Sequence, residues 1–199
     1  MLRLKLKSNG FSITELIFVM IGIGIMASII FVFFSGSINQ YYKLQADSYA
    51  FSEISTNSQR IARVLRGSYT ITDAQADTIT MYSYFAPQET YTSVIKYYLS
   101  TDQKKLMADV RAMTANPPIG VPTGPTKTVT VMNSYYKASG VNTFEYLDLS
   151  GNVLTLPIAD LNNIKSIRIQ LSTKPYDSAS SNVTTTKLTV NLRNRKTNL

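Results

Sequence analysis

Between Ile17 and Phe34 the chain runs 18 residues without a charged side chain, IFVMIGIGIMASIIFVFF, and this stretch restricts the fold more than any other feature. A helix crosses a bilayer with about 20 mostly apolar residues, so a helical run of this length is a span candidate. Glu15 stands just in front of it. A charge at the centre of a membrane helix costs roughly 2.5–3.5 kcal/mol on insertion scales. Near one end the cost is lower, but a carboxylate there still calls for a partner. No second apolar run of comparable length follows, and one span is expected.

Charge placement orients that span. The leader MLRLKLKSNG holds Arg3, Lys5 and Lys7 and no acid, whereas residues 35–50 hold only Lys43 and Asp47, which cancel. A basic excess before the span places the N-terminus in the cytoplasm and everything after Ser35 outside. A secretory signal peptide shares the basic start, and Ser35-Gly36-Ser37 offers small residues for cleavage. Its apolar core is typically about 7–15 residues, shorter than this run. Ser12-Ile13-Thr14-Glu15 also matches the S/T-x-x-E capping box, a local role for Glu15. That role leaves the abrupt Gly10-Phe11 junction unexplained.

Gly10-Phe11-Ser12-Ile13-Thr14-Glu15, followed by LIFVMIGIGIMASII, resembles the N-terminal signature of type IV pilins and pseudopilins. The resemblance implies that a prepilin peptidase cuts between Gly10 and Phe11 and that the new N-terminal Phe11 is N-methylated. It also implies that Glu15 pairs with the Phe11 ammonium of a neighbouring subunit and so sets the axial register of a filament. Gly24 falls where the family often has glycine. The sequence Ile30-Phe31-Val32-Phe33 lacks the proline that many major pilins carry late in the apolar segment, so no proline kink is expected. Burying a lone charge is costly, and a matched pair recovers much of that cost. Within one chain Phe11 and Glu15 are also close, because four residues rise about 6 Å along a helix. An intramolecular pair therefore competes with the inter-subunit one. The implied partners are the prepilin peptidase, other pilin or pseudopilin subunits, an inner-membrane assembly platform and the lipid bilayer. The implied location is a single-pass inner-membrane protein that enters a pilus or pseudopilus.

Composition removes several chemistries. The chain has neither cysteine nor histidine, so disulfides, thiolate metal sites and the commonest general base are unavailable. Of the net charge of +8, the leader supplies three, and the rest reads as a solvated basic face. Ser93-Val94-Ile95-Lys96 fits the serine–lysine motif S-x-x-K, but no S-D-N or K-T-G accompanies it. In a strand, residues three apart point to opposite faces, so the pair would not meet. Asp102, Asp148 and Asn152 could contribute to an oxygen-ligand calcium site, yet no EF-hand spacing is present and turn formation accounts for them. No catalytic, cofactor-binding or metal-binding residue is assigned, and the chain does not read as an enzyme.

Past the span, Leu44, Phe51, Ile54, Ile61 and Leu65 recur at spacings of three, four and seven, one apolar stripe of a helix that Gly67 ends. From residue 69 the period becomes two. Thr78–Phe85, Thr92–Leu99, Leu106–Met113, 127–133 and 143–149 read as strands. So do the alternating sets Ile167/Ile169/Leu171 and Leu188/Val190/Leu192. Thr101–Lys104 and Ser150-Gly151-Asn152 are turn candidates, TANPPIGVPTGPT over 114–126 is a loop, and Asp177–Thr186 is a polar one. There is no internal repeat. The expected fold class is α+β, and by the resemblance pilin-like, a long N-terminal helix packed on an antiparallel β-sheet domain. The expected divisions are a leader at 1–10 that the resemblance implies is cleaved, a membrane half of the helix at 11–34, an amphipathic half at 35–66, and an extracytoplasmic domain at 67–199.

The succession YYLSTDQKKL, FEYLDLSGNVL, LNNIKSIRIQLS and VNLRNR resembles the β-domain of minor pilins, among them J-type pseudopilins of type II secretion and minor pilins of pili and competence systems. The resemblance implies a minor structural subunit. Two loops expected to protrude fit a subunit present in few copies. Two other readings stand beside it. One is a filament-tip adhesin or DNA-binding module using Lys187, Arg193, Arg195 and Lys196 with the many tyrosines, as single-strand binders use basic grooves and aromatic platforms. The other is a signal-anchored extracytoplasmic protein that never assembles.

Overall fold

The computed structural model describes residues 12–174 and 183–193. One helix, α1 (Ile13–Arg66), precedes eight strands: β1 (Thr70–Ala74), β2 (Thr78–Ser83), β3 (Ser93–Leu99), β4 (Leu106–Ala112), β5 (Lys127–Met132), β6 (Phe144–Leu147), β7 (Ser166–Thr173) and β8 (Thr184–Asn191). A short 3-10 turn at Leu161–Asn163 leads into β7. The class is α+β, as expected. The chain divides into two compact units, Met1–Gln45 and Ala46–Leu199, and the boundary falls inside α1.

In the first unit the described residues are helical from Ile13 onward, and nearly every side chain is exposed, including the whole of Ile17–Phe34. α1 is long and apolar enough to cross a membrane. A helix that is apolar on every side is stable only in a core or in lipid. The Ser28 hydroxyl, in the middle of the run, donates to the Gly24 carbonyl at 2.8 Å. That bond satisfies it within the helix, which tolerance of a hydrocarbon environment requires.

In the second unit, α1 buries Ala50, Ile54, Ser58, Ile61, Ala62, Val64 and Leu65. Ile54, Ile61 and Leu65 belong to the expected stripe, but Leu44 and Phe51 do not, at 69% and 59% exposed. Angle does not separate them from the buried set, because Ala62 lies about 80° round the helix from Ile54 on the same side as both and is buried. Both come before Ile54 in the chain, where α1 is still largely exposed. The helix ends where Gly67 was expected to end it. The Ser83 hydroxyl donates to the Val64 carbonyl at 2.6 Å, and the Ser68 N–H donates to the Leu65 carbonyl at 3.0 Å. Carbonyls that no helical N–H can reach are thus satisfied, and Arg63 and Arg66 stand in the last turn where the dipole favours cations.

Strands β1 to β5 form an antiparallel sheet in sequential order, and β6, β7 and β8 form a second one. The first follows the period-two pattern closely: Ile79, Met81, Ile95, Tyr97, Leu106 and Ala108 are buried along one face. The Leu106–Met113 segment is a strand to Ala112, paired with β3 from Leu99↔Leu106 to Ser93↔Ala112. The expected strand at 78–85 stops at Ser83, since Tyr84 and Phe85 turn into the next loop. β7 departs from a half-buried pattern. Its residues Gln170 to Thr173 are all buried: Gln170 N–H donates to the Thr143 carbonyl at 2.9 Å, Tyr136 N–H donates to the Ser172 carbonyl at 2.8 Å, and Tyr135 bridges Thr173. The expected loop at Asp177–Thr186 has its end in β8, which begins at Thr184, while 175–182 lie outside the described residues.

The proline-rich stretch forms a closed hairpin extension. Met113 bridges Pro122, and Thr114 N–H donates to the Val121 carbonyl at 3.1 Å. A Cβ on Gly120 would lie 1.8 Å from the Ala115 carbonyl oxygen, so only glycine fits there.

Candidate functional site

The residues that the resemblance selects lie at the start of α1. Gly10 and Phe11 lie outside the described residues. Glu15 is in the first turn of the helix and exposed. Ser12 occupies the N-cap place, its carbonyl accepting from Leu16 N–H at 3.1 Å. The reciprocal bonds of a capping box are not formed among the described residues. The Ser12 hydroxyl instead bonds the Thr14 hydroxyl at 2.7 Å, and Glu15 has no hydrogen-bonded or ionic partner among the described residues. The carboxylate gains only the favourable field of the helix N-terminus, worth about 0.3–1 kcal/mol. A partner outside the described part of this chain, or on another molecule, is what such a charge lacks in an apolar setting.

The other candidate residues are placed in turns and strands. The Asp102 carboxylate accepts from the Ser100 hydroxyl at 2.5 Å and from Lys104 N–H at 3.1 Å, closing the β3–β4 turn. Gln103 adopts a positive φ of 55° there. Asp148 accepts from the backbone and side-chain amides of Asn152 at 2.8 and 3.2 Å, and Gly151, at φ 83°, turns the chain back so that Leu147 bridges Val153. These bonds hold both carboxylates below the usual Asp pKa. Both are turn formers, as the sequence suggested. Asp102 is far along the chain from Asp148, and no group of three or more acidic residues that could hold a metal occurs among the described residues.

Ser93 and Lys96 do lie on opposite faces of β3. Ser93 is buried with its hydroxyl 3.3 Å from the Glu89 carboxylate, and Lys96 is exposed, its ammonium 5.7 Å from the centre of the Tyr98 ring. Lys187 and Arg193 are exposed at and after β8, while Arg195 and Lys196 lie outside the described residues. An open hollow of about 490 Å³ beside β6 is lined by Phe144, Tyr146, Val153, Leu154 and Leu156. Its one ionised group, Glu145, is held by Arg168 at 2.9 Å.

One polar cluster escaped the sequence reading. Asp77, between β1 and β2, pairs with Lys137 and accepts from the Thr143 hydroxyl at 2.7 Å and its N–H at 3.2 Å. The Thr143 hydroxyl also bonds Tyr135 at 2.9 Å. Phe144 N–H donates to the Ala76 carbonyl beside it at 2.9 Å, so the cluster ties the first sheet to the segment that enters the second. Partners 60 and 66 residues apart leave no local pattern. Burial alone would raise the Asp77 pKa, but the bonds from Lys137 and Thr143 outweigh it and lower it below 3.8. A carboxylate lowered in this way stabilises the fold above its ordinary pKa, and the contribution disappears as the pH falls through the folded value. Asp77→Asn is expected to cost about 1–2 kcal/mol at neutral pH, a figure discounted for partial exposure. In urea unfolding, the gap between wild type and variant should narrow below pH 3.8. A gap that stays constant with pH would show that the carboxylate charge is not what holds the cluster.

No protein-family model matches the chain, and no curated protein sequence matches it.

Proposed function

We propose that this chain is a structural filament subunit of the minor-pilin or pseudopilin kind, in a type IV pilus, type II secretion or competence-type filament. One observation carries the reading. A single helix, exposed and apolar on all sides over its first part and amphipathic over its last, is followed by antiparallel sheets, and its last turns bury one face from Ile54 to Leu65. It is preceded in sequence by a basic leader and Gly10-Phe11. A helix of that composition needs lipid before assembly and other helices after it. The role of the chain's own residues is then simple. Gly10 and Phe11 present the cleavage site, the Phe11 amine takes the methyl group, and Glu15 supplies the charge that a neighbour's ammonium pairs with. The partners are the prepilin peptidase, an assembly platform in the inner membrane and other subunits.

The mature protein should begin at Phe11, because that cut removes the basic leader and keeps the apolar helix. Intact-mass measurement of membrane-extracted protein is expected to show loss of residues 1–10, with one added methyl group. Gly10→Val should block the cut by placing bulk where the peptidase accepts only a small side chain. A mass matching cleavage near Ser37, or an uncut chain, would overturn the proposal.

A further inference from the structure

We infer that Tyr41, Tyr42 and Lys43 form an anchor in the lipid headgroup layer that holds α1 at a set depth in the bilayer. The inference rests on the membrane-spanning reading and adds a lipid-facing site to it. The charge-free part of α1 extends beyond the apolar run. From Leu16 to Tyr42 no side chain carries a charge, and Glu15 and Lys43 bound the stretch, 28 residues apart. At 1.5 Å per residue they are separated by about 42 Å along the axis. A bilayer with its headgroup layers is about 40–45 Å thick. Both bounding charges therefore reach wet layers together, one at each side.

Centred between those charges, a hydrocarbon core of about 30 Å takes up about 20 residues and ends near Asn39, past the end at 34 that the apolar run alone gives. Tyr41 and Tyr42 then follow within about 5 Å of its edge. Both are open to their surroundings, at 64% and 63% exposed, with ring centroids 6.1 Å apart and planes inclined by 65°. Neighbours on a helix point about 100° apart, so the two rings cover adjoining sectors of one turn. A tyrosine ring with a terminal hydroxyl suits a layer that is apolar on one side and wet on the other, which is why tyrosine is enriched there. The Lys43 stem can lie along acyl chains while its ammonium meets lipid phosphates. The next aromatic residue, Tyr49, follows the charged Lys43 and Asp47 in the sequence and should be outside the bilayer.

The chain contains no tryptophan, so each substitution places a single tryptophan that can be excited selectively at the long-wavelength edge, where the tyrosines scarcely absorb. Three full-length variants, Ile29→Trp, Tyr42→Trp and Tyr49→Trp, replace exposed residues and are reconstituted at low protein-to-lipid ratio in phosphatidylcholine vesicles. The lipids are brominated either near the headgroup or near the acyl-chain ends, and iodide serves as the aqueous quencher. Ile29→Trp is expected to lose most of its emission to deep bromines. Tyr42→Trp should lose most of its emission to shallow bromines and little to deep ones. Tyr49→Trp should respond to iodide alone. A Tyr42→Trp signal that behaves like Tyr49→Trp, or is quenched as deeply as Ile29→Trp, would overturn the anchor while leaving the span intact. An Ile29→Trp signal untouched by any brominated lipid would sink the spanning reading and the anchor with it.

Discussion

Glu15→Gln protein is expected to accumulate in the membrane, to be cut after Gly10, and to stay out of filaments. Glutamine still satisfies a capping box, so a carboxylate that served only as a helix cap would be replaced almost without effect. The structure weakens that role, since the Ser12 hydroxyl turns to Thr14 and no box forms among the described residues. A carboxylate paired with the Phe11 ammonium of a neighbour behaves differently. Removing one member of a buried pair costs on the order of 3–5 kcal/mol, because the remaining charge is left desolvated and alone. Insertion should not suffer, since a neutral residue enters lipid more easily than a charged one. The measurement compares sheared and membrane fractions of wild type and variant at equal expression. Normal incorporation of the Gln form would reduce Glu15 to a favourable first-turn charge.

The second large effect separates two residues one turn apart. Ile54→Ala should destabilise the globular unit by about 2–5 kcal/mol, since Ile54 is fully buried against the sheets and truncation leaves a cavity. Phe51→Ala should shift stability by no more than about 0.5 kcal/mol, the range for exposed positions. By residue type alone the order would be the reverse, because phenylalanine buries the larger surface. Urea midpoints of the two variants decide the matter. Equal and large losses would mean that Phe51 is covered within its own chain. If Phe51→Ala folds normally but assembles poorly, the exposed ring belongs to a contact between subunits.

Much of the architecture follows from local pattern. The apolar run, the amphipathic continuation and Gly67 define α1, because helical periodicity and a helix stop are properties of neighbouring residues. Strands β2 to β7 were legible for the same reason, with ends off by one or two residues, whereas β8 starts at Thr184 inside the expected loop and β1 was not singled out. Asp102 and Asp148 were readable as turn residues, since each bonds atoms within four positions of itself. The candidate site at Gly10, Phe11 and Glu15 is a sequence finding altogether.

Other features required distant parts of the chain to meet. How far along α1 the side chains are covered was not written in the stripe itself, and Phe51 and Leu44 are exposed while Ile54, Ile61 and Leu65 are buried. Gln170, Ser172 and Thr173 are buried where Thr143, Tyr136 and Tyr135 pair with them from earlier in the chain. The Asp77–Lys137–Thr143 cluster needs partners more than 55 residues apart, and no periodicity encodes it. Sequence by itself determined the long apolar helix and the positions of most strands, because period and composition act over a few neighbouring residues. Tertiary structure alone decided which surfaces are covered and which charges find partners, because burial and pairing depend on the whole chain's path.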